Sequence, residues 1–161
     1  MSQKTRIGIG IAILLVIVGL ILGVDALRRQ SSADQALQPG EVPIYVDQNF
    51  VGKFSPDDLD KLEQVSFVEP EEGKEQTGWL LRDVILLAVA ENDLAVDTII
   101  VVSSSSREKS AQLNWVDVND PANMVMFDLS NRGTLKLVSR LENFDTRDVW
   151  VQDADKIEIN H

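Results

Sequence analysis

The sequence contains no cysteine, and its one histidine, His161, is its last residue. The first absence excludes disulfides, thiolate metal sites, cysteine nucleophiles, iron–sulfur clusters and a lipoprotein anchor. The second excludes a histidine-based triad and a multi-histidine zinc site. Cations are scarce as well: 15 Lys and Arg stand against 26 Asp and Glu, a formal charge of −11. Recognition of a phosphate backbone needs clustered Lys and Arg, so nucleic acid is not an expected partner. The skew that marks collagen, coiled coils or wholesale disorder is also missing. What remains, 161 residues of which 44% are hydrophobic and 25% charged, suits one compact domain.

Polar side chains are missing from one stretch, Ile7 to Val24 (IGIGIAILLVIVGLILGV), which is apolar all round. An amphipathic helix of a small domain shows a polar face at 3.6-residue spacing, and this one does not. At 1.5 Å per residue it reaches about 27 Å, close to the hydrocarbon thickness of a bilayer. The run exceeds a signal-peptide core, and Arg28-Arg29 follow it. The expectation is therefore a cytoplasmic tail over residues 1–6, a transmembrane signal anchor over 7–27 contacting the lipid bilayer, and a tether over 28–42. An extracytoplasmic domain, periplasmic or at the cell surface, would fill 43–161. Residues 1–30 carry Lys4, Arg6, Arg28 and Arg29 against Asp25, a net +3, which leaves −14 on the remaining 131 residues. So acidic a domain should be repelled by anionic headgroups.

Within that domain, Pro43 to Asp47 (PIYVD) alternates and is β-branched, and Gln48-Asn49 suits a turn into Phe50 to Phe54. Ser55-Pro56-Asp57-Asp58 opens a helix running to about Glu63: a cap, a proline at the first turn and two carboxylates at the positive end of the dipole. A strand at Val65 to Val68 and a charged, solvated loop at Glu69 to Thr77 follow. Gly78 begins the clearest helix, with Leu80, Val84 and Leu87 as its stripe and an end near Ala90. Thr98 to Val102 (TIIVV) reads as a central strand buried on both faces. Ser103 to Ser110 reads as a polar loop and Ala111 to Trp115 as an edge strand. Further strands are expected at Asn123 to Phe127, Thr134 to Ser139, Asp148 to Gln152 and Lys156 to Ile159. The sum is an α+β domain of seven or eight short strands and two short helices.

The order FSPDDLDKL, strand, GWLLRDVILLA, TIIVVSS resembles the molybdopterin-binding domain of sulfite-oxidase-type oxidoreductases. GTLKLVS is similar to that family's Gly-x-Pro-Leu-Arg-Leu-Val segment, and VWVQDADKIEI to its closing Trp-then-Ile-x-Ile segment. The resemblance spans residues 43–160 and implies that family's fold. The family holds its molybdenum by a cysteine thiolate, which this chain lacks; a hard oxygen ligand would change the metal preference. The resemblance thus implies a reduced relative without cofactor, metal or catalytic residues.

Other candidates have plainer explanations. Asp57, Asp58 and Asp60 are hard-oxygen ligands for Ca²⁺ but lack an EF-hand spacing, and the first two belong to a helix start. Trp79, Trp115 and Trp150 are well separated and suit the core. The best ligand-binding candidates are Ser104, Ser105, Ser106, Arg107 and Lys109: short hydroxyl donors and two cations after a presumed central strand can cradle an anion. The expected function is a non-enzymatic interaction domain, a subunit or accessory factor with a protein partner in a membrane complex. The alternative is a small-ligand or anion-binding module retaining part of a molybdopterin-type pocket.

Overall fold

The computed structural model describes residues 37–130 and 132–161, whose compact unit is Gln38–His161. It is mostly β. Ten strands are β1 (Val42–Val46), β2 (Asn49–Phe54), β3 (Gln64–Val68), β4 (Glu75–Leu80), β5 (Ile99–Ser104), β6 (Lys109–Asn114), β7 (Met126–Leu129), β8 (Leu135–Val138), β9 (Val151–Gln152) and β10 (Lys156–Asn160). Among the described residues there are three α-helices, α1 (Pro56–Leu59), α2 (Leu81–Ile85) and α3 (Trp115–Asn119). The expected α+β class with two helices is corrected: helices of four or five residues are joints between strands, not a layer.

The strands form two five-stranded sheets, ordered β2-β1-β10-β5-β6 and β3-β4-β7-β8-β9. All pairings are antiparallel except β1 with β10, which brings both ends of the described chain to the middle of the first sheet. The β1–β2 loop is Asp47-Gln48, and both residues have positive φ, as a two-residue I′ turn demands. One core lies between the sheets. Ile44, Ile100, Val102, Ile157 and Ile159 face it from the first sheet, and Trp79, Phe127, Leu137 and Val151 from the second. The Phe54 and Phe127 rings meet across it at 6.0 Å.

Several expectations fail locally. The helix expected from Gly78 is strand up to Leu80, because Gly78 sits in the ladder opposite Asp128 and against the Phe127 carbonyl. Of the supposed stripe only Val84 is fully buried, and Leu87 faces solvent. The first helix stops at Leu59 instead of Glu63. Strand β5 alternates, Ile100 and Val102 in and Ile99 and Val101 half-exposed, so it is buried on one face only. Trp115 starts α3, which the sequence reading missed. Among the described residues no helix is long and apolar enough to cross a membrane. A five-residue helix rises only about 7.5 Å, against the ~30 Å of a bilayer core. The signal anchor, membrane placement and extracytoplasmic location are corrected on that finding; the apolar run expected to span, within residues 7–27, lies outside the described residues.

Candidate functional site

The structure gathers the serine-rich candidate into the β5–β6 hairpin and aims its donors inward. Ser104 is buried, with its hydroxyl 3.3 Å from that of Ser106. Ser105 donates its backbone N–H to Asp155 Oδ2 (2.9 Å) and its hydroxyl to Oδ1 (3.3 Å). Arg107 Nε donates to Asp153 Oδ2 at 2.7 Å, and Lys109 Nζ to the Asp148 carbonyl. A hydrogen bond from Thr134, then one from Arg107, holds the Asp153 carboxyl below its usual range. The neighbouring cavity, about 270 Å³, is lined by Glu41, Asp153 and Asp155. Ser105 and Arg107 thus clamp the β9–β10 turn through Asp155 and Asp153, and Lys109 ties the hairpin to the chain ahead of β9. Asp57, Asp58 and Asp60 stay on α1 and its end. Ser55 donates its N–H and hydroxyl to Asp58, whose carboxyl is pulled down to about 2, chiefly by Lys61 and then by Ser55. Among the described residues no group of three or more Asp, Glu, His or Cys is placed to hold a metal.

A different set of cations converges on the outer face of the second sheet. There Lys74, Lys136 and Arg147 line an open cleft of about 810 Å³, together with Glu75, Gln76, Asp128, Ser130, Trp150 and Gln152. Its floor comes from strand register. Gly78, Asp128, Lys136 and Gln152 are successive partners across β4, β7, β8 and β9, so the side chains of Asp128, Lys136 and Gln152 share one face. The alternation in TLKLVS, with Leu135 and Leu137 inward, turns Lys136 outward onto that face. Lys136 Nζ then donates to Asp128 Oδ2 at 2.7 Å and to Gln76 Oε1 at 2.6 Å. It also lies 5.3 Å from the centre of the Trp150 indole. Trp150 is fixed in turn by its Nε1–H donated to the Phe144 carbonyl at 3.1 Å.

The rim is built by the β3–β4 connection. Glu69 is fully buried and accepts the N–H groups of Glu71 (2.8 Å), Glu72 (3.1 Å) and Lys74 (3.4 Å). Burial works to raise its carboxyl, but the three amides and the Arg147 charge outweigh that and hold it below the carboxylate range. Gly73 supplies the positive φ that turns the chain back. The expected solvated loop is thus organised around a buried charge. It presents Glu72, which draws Arg147 Nη1 to 2.6 Å and Lys74 to 2.5 Å. Its carboxyl is lowered by Lys74 first and Arg147 next. Glu71 accepts the Arg147 N–H at 3.1 Å.

Sequence reading missed this cleft because its cations are 11 to 73 positions apart and none sits in a motif. Only the outward turn of Lys136 had a signal. No family model matches the chain, and no curated protein matches it.

Proposed function

We propose that the domain is a non-enzymatic binding module whose sheet-face cleft takes an anionic, carboxylate- or phosphate-bearing ligand. The observation that carries this reading is the convergence of Lys74, Lys136 and Arg147 on one open cleft of about 810 Å³, in a chain of charge −11. Against so negative a background, only a local concentration of donors can draw an anion in. Lys136 is pre-positioned by its two acceptors, and Arg147 brings a planar fork of five N–H donors suited to bidentate contact with a carboxylate or phosphate. Catalysis has less support. Every carboxylate with a resolved shift is lowered, whereas acid–base work calls for one that is raised. The residues do not fit the molybdenum centre of the family that the sequence resembles, since the chain has no thiolate to hold the metal.

The test is a titration of the full chain with inorganic phosphate and with citrate, followed by amide chemical shifts. Responses should centre on Lys74–Gln76, Ser130 and Lys136. Lys74→Ala with Arg147→Ala, both partly exposed side chains, should weaken binding about tenfold while the fold persists. Arg107→Ala with Lys109→Ala should leave it unchanged. If the second pair abolishes binding and the first does not, the hairpin is the anion site and the cleft reading is wrong.

A further inference from the structure

A second surface, separate from that cleft, lies along the outer edge of β6. Trp115 N–H donates to the Thr98 carbonyl at 2.8 Å, which makes that pair a hydrogen-bonded one. In an antiparallel ladder such pairs alternate, so Leu113 with Ile100 and Ala111 with Val102 are bonded in the same way. Ser110 and Gln112 must then turn both N–H and C=O away from β5, and Asn114 its N–H. No strand pairs with this side of β6 among the described residues. The open row runs about 13 Å from residue 110 to 114.

Several of the usual protections of an edge are missing here. Exposed strand edges are normally blunted by proline, a bulge, short length or an outward lysine. Strand β6 has six residues, no proline and a regular register. Its lysine, Lys109, is tied down to the Asp148 carbonyl. Strand β9, an edge of the other sheet, has only two residues.

Beside the edge lies a cavity of about 410 Å³ between Gln112–Asn114 and the Leu141–Phe144 segment. Its apolar lining is Leu113, Leu141 and Phe144, and its charged lining is Asp117 and Glu142, with no cation. An added strand alternates its side chains, so one set would lie with Leu113 against the apolar part of this cavity and the other on the face of Asn114, whose side-chain amide donates to Asp117. We propose that β6 accepts, by strand addition, an extended peptide of a partner protein that alternates apolar and basic residues. The acidic lining selects Lys or Arg in the partner. It also disfavours a second copy of this chain, which would bring Asp117 and Glu142 against their own kind.

The test uses the full chain and a labelled, end-capped peptide of alternating valine and lysine, read by fluorescence anisotropy. A valine–glutamate peptide is the control. The lysine peptide should bind and the glutamate peptide should not. Gln112→Pro removes an outward donor that the β5–β6 ladder does not use, and should weaken binding about tenfold or more with the fold retained. Should that variant fail to fold, a lysine peptide with alternate amides N-methylated, used with the parent protein, reads the same backbone bonds. Asp117→Lys with Glu142→Lys should reverse the preference between the two peptides. Equal affinity for the N-methylated peptide, indifference to the charge reversal, or a dimer of the chain that Gln112→Pro dissolves would each overturn the proposal.

Discussion

Replacing Lys136 by methionine isolates the energetics on which the cleft floor rests. Lys136 and Asp128 keep side-chain exposures of 18% and 16%, and their charged atoms are 2.7 Å apart. At an effective dielectric of 20, a pair at that distance attracts by about 6 kcal/mol before desolvation is charged against it. Much of that gain is cancelled, because both groups gave up most of their water. Removing one partner does not return the lost hydration to the other. Lys136→Met leaves the Asp128 carboxylate and the Gln76 carbonyl facing an apolar chain. Breaking a buried pair costs about 3–5 kcal/mol, and the residual exposure here places the expected loss near 3. Asp128→Asn is milder, about 1–2 kcal/mol, since an amide oxygen still accepts from Lys136. In the double variant neither charge is stranded. Its loss should fall below that of Lys136→Met alone, to about 2 kcal/mol, giving a coupling of about 2–3 kcal/mol. Urea denaturation of the four proteins at neutral pH measures the cycle. Additive losses, or a Lys136→Met loss below about 1 kcal/mol, would show an ordinary surface pair and refute the reasoning.

Three further outcomes follow from the geometry. A Cβ on Gly78 would lie 1.8 Å from the Phe127 carbonyl oxygen, so Gly78→Ala must part β4 from β7 and should cost about 3 kcal/mol or more in thermal or urea unfolding. Glu69→Gln keeps the size but removes the charge that gathers three amides, so hydrogen exchange at Glu71, Glu72 and Lys74 should quicken about tenfold or more while the sheets stay protected. The Asp58 carboxyl sits at about 2 in the folded protein against an ordinary 3.8, so the unfolded chain takes up its proton first. The stability it contributes is therefore present above about pH 4 and is lost as pH falls towards 2; Asp58→Asn should show a flatter acid limb in unfolding measured from pH 5 to 2, and an unaltered limb would assign the acid sensitivity elsewhere.

The strands with clean alternation were legible from sequence: PIYV, TLKLV and KIEI all form where their pattern places them. The segment around Gly78 was not. Leu80, Val84 and Leu87 have helical spacing, but the local signal is overridden by a contact 49 positions away, where the Phe127 carbonyl leaves room for no side chain but hydrogen. The same holds for function. Ser104 to Lys109 looked like a free cradle because the carboxylates that occupy it, Asp153 and Asp155, come from about fifty positions later. Lys136 meets Gln76 across 60 positions, and Arg147 meets Glu71 across 76. Short-range pattern reports which face a residue takes; it does not report which distant face comes to meet it.

Residues 139–149 connect these observations. They form neither strand nor helix, yet they wall both proposed surfaces, Arg147 at the anionic-ligand cleft and Leu141 to Phe144 beside β6. An irregular stretch can serve in this way only if the scaffold fixes it. Here the fixing is distributed. Ser139 Oγ and Arg140 N–H both donate to the Asn123 carbonyl, at 3.0 and 2.9 Å. Lys109 reaches the Asp148 carbonyl from β6, and Glu71 takes the Arg147 N–H from the β3–β4 turn. The Trp150 indole closes the set on Phe144. The holding partners come from β6, the β3–β4 turn and the chain ahead of β7, and they use chiefly side-chain hydrogen bonds in place of a ladder. The backbone of this stretch is thereby left free of strand geometry. Its side chains serve two surfaces from different parts of the stretch, Leu141 to Phe144 at one and Arg147 at the other, a distribution not tied to the two-residue period of a strand.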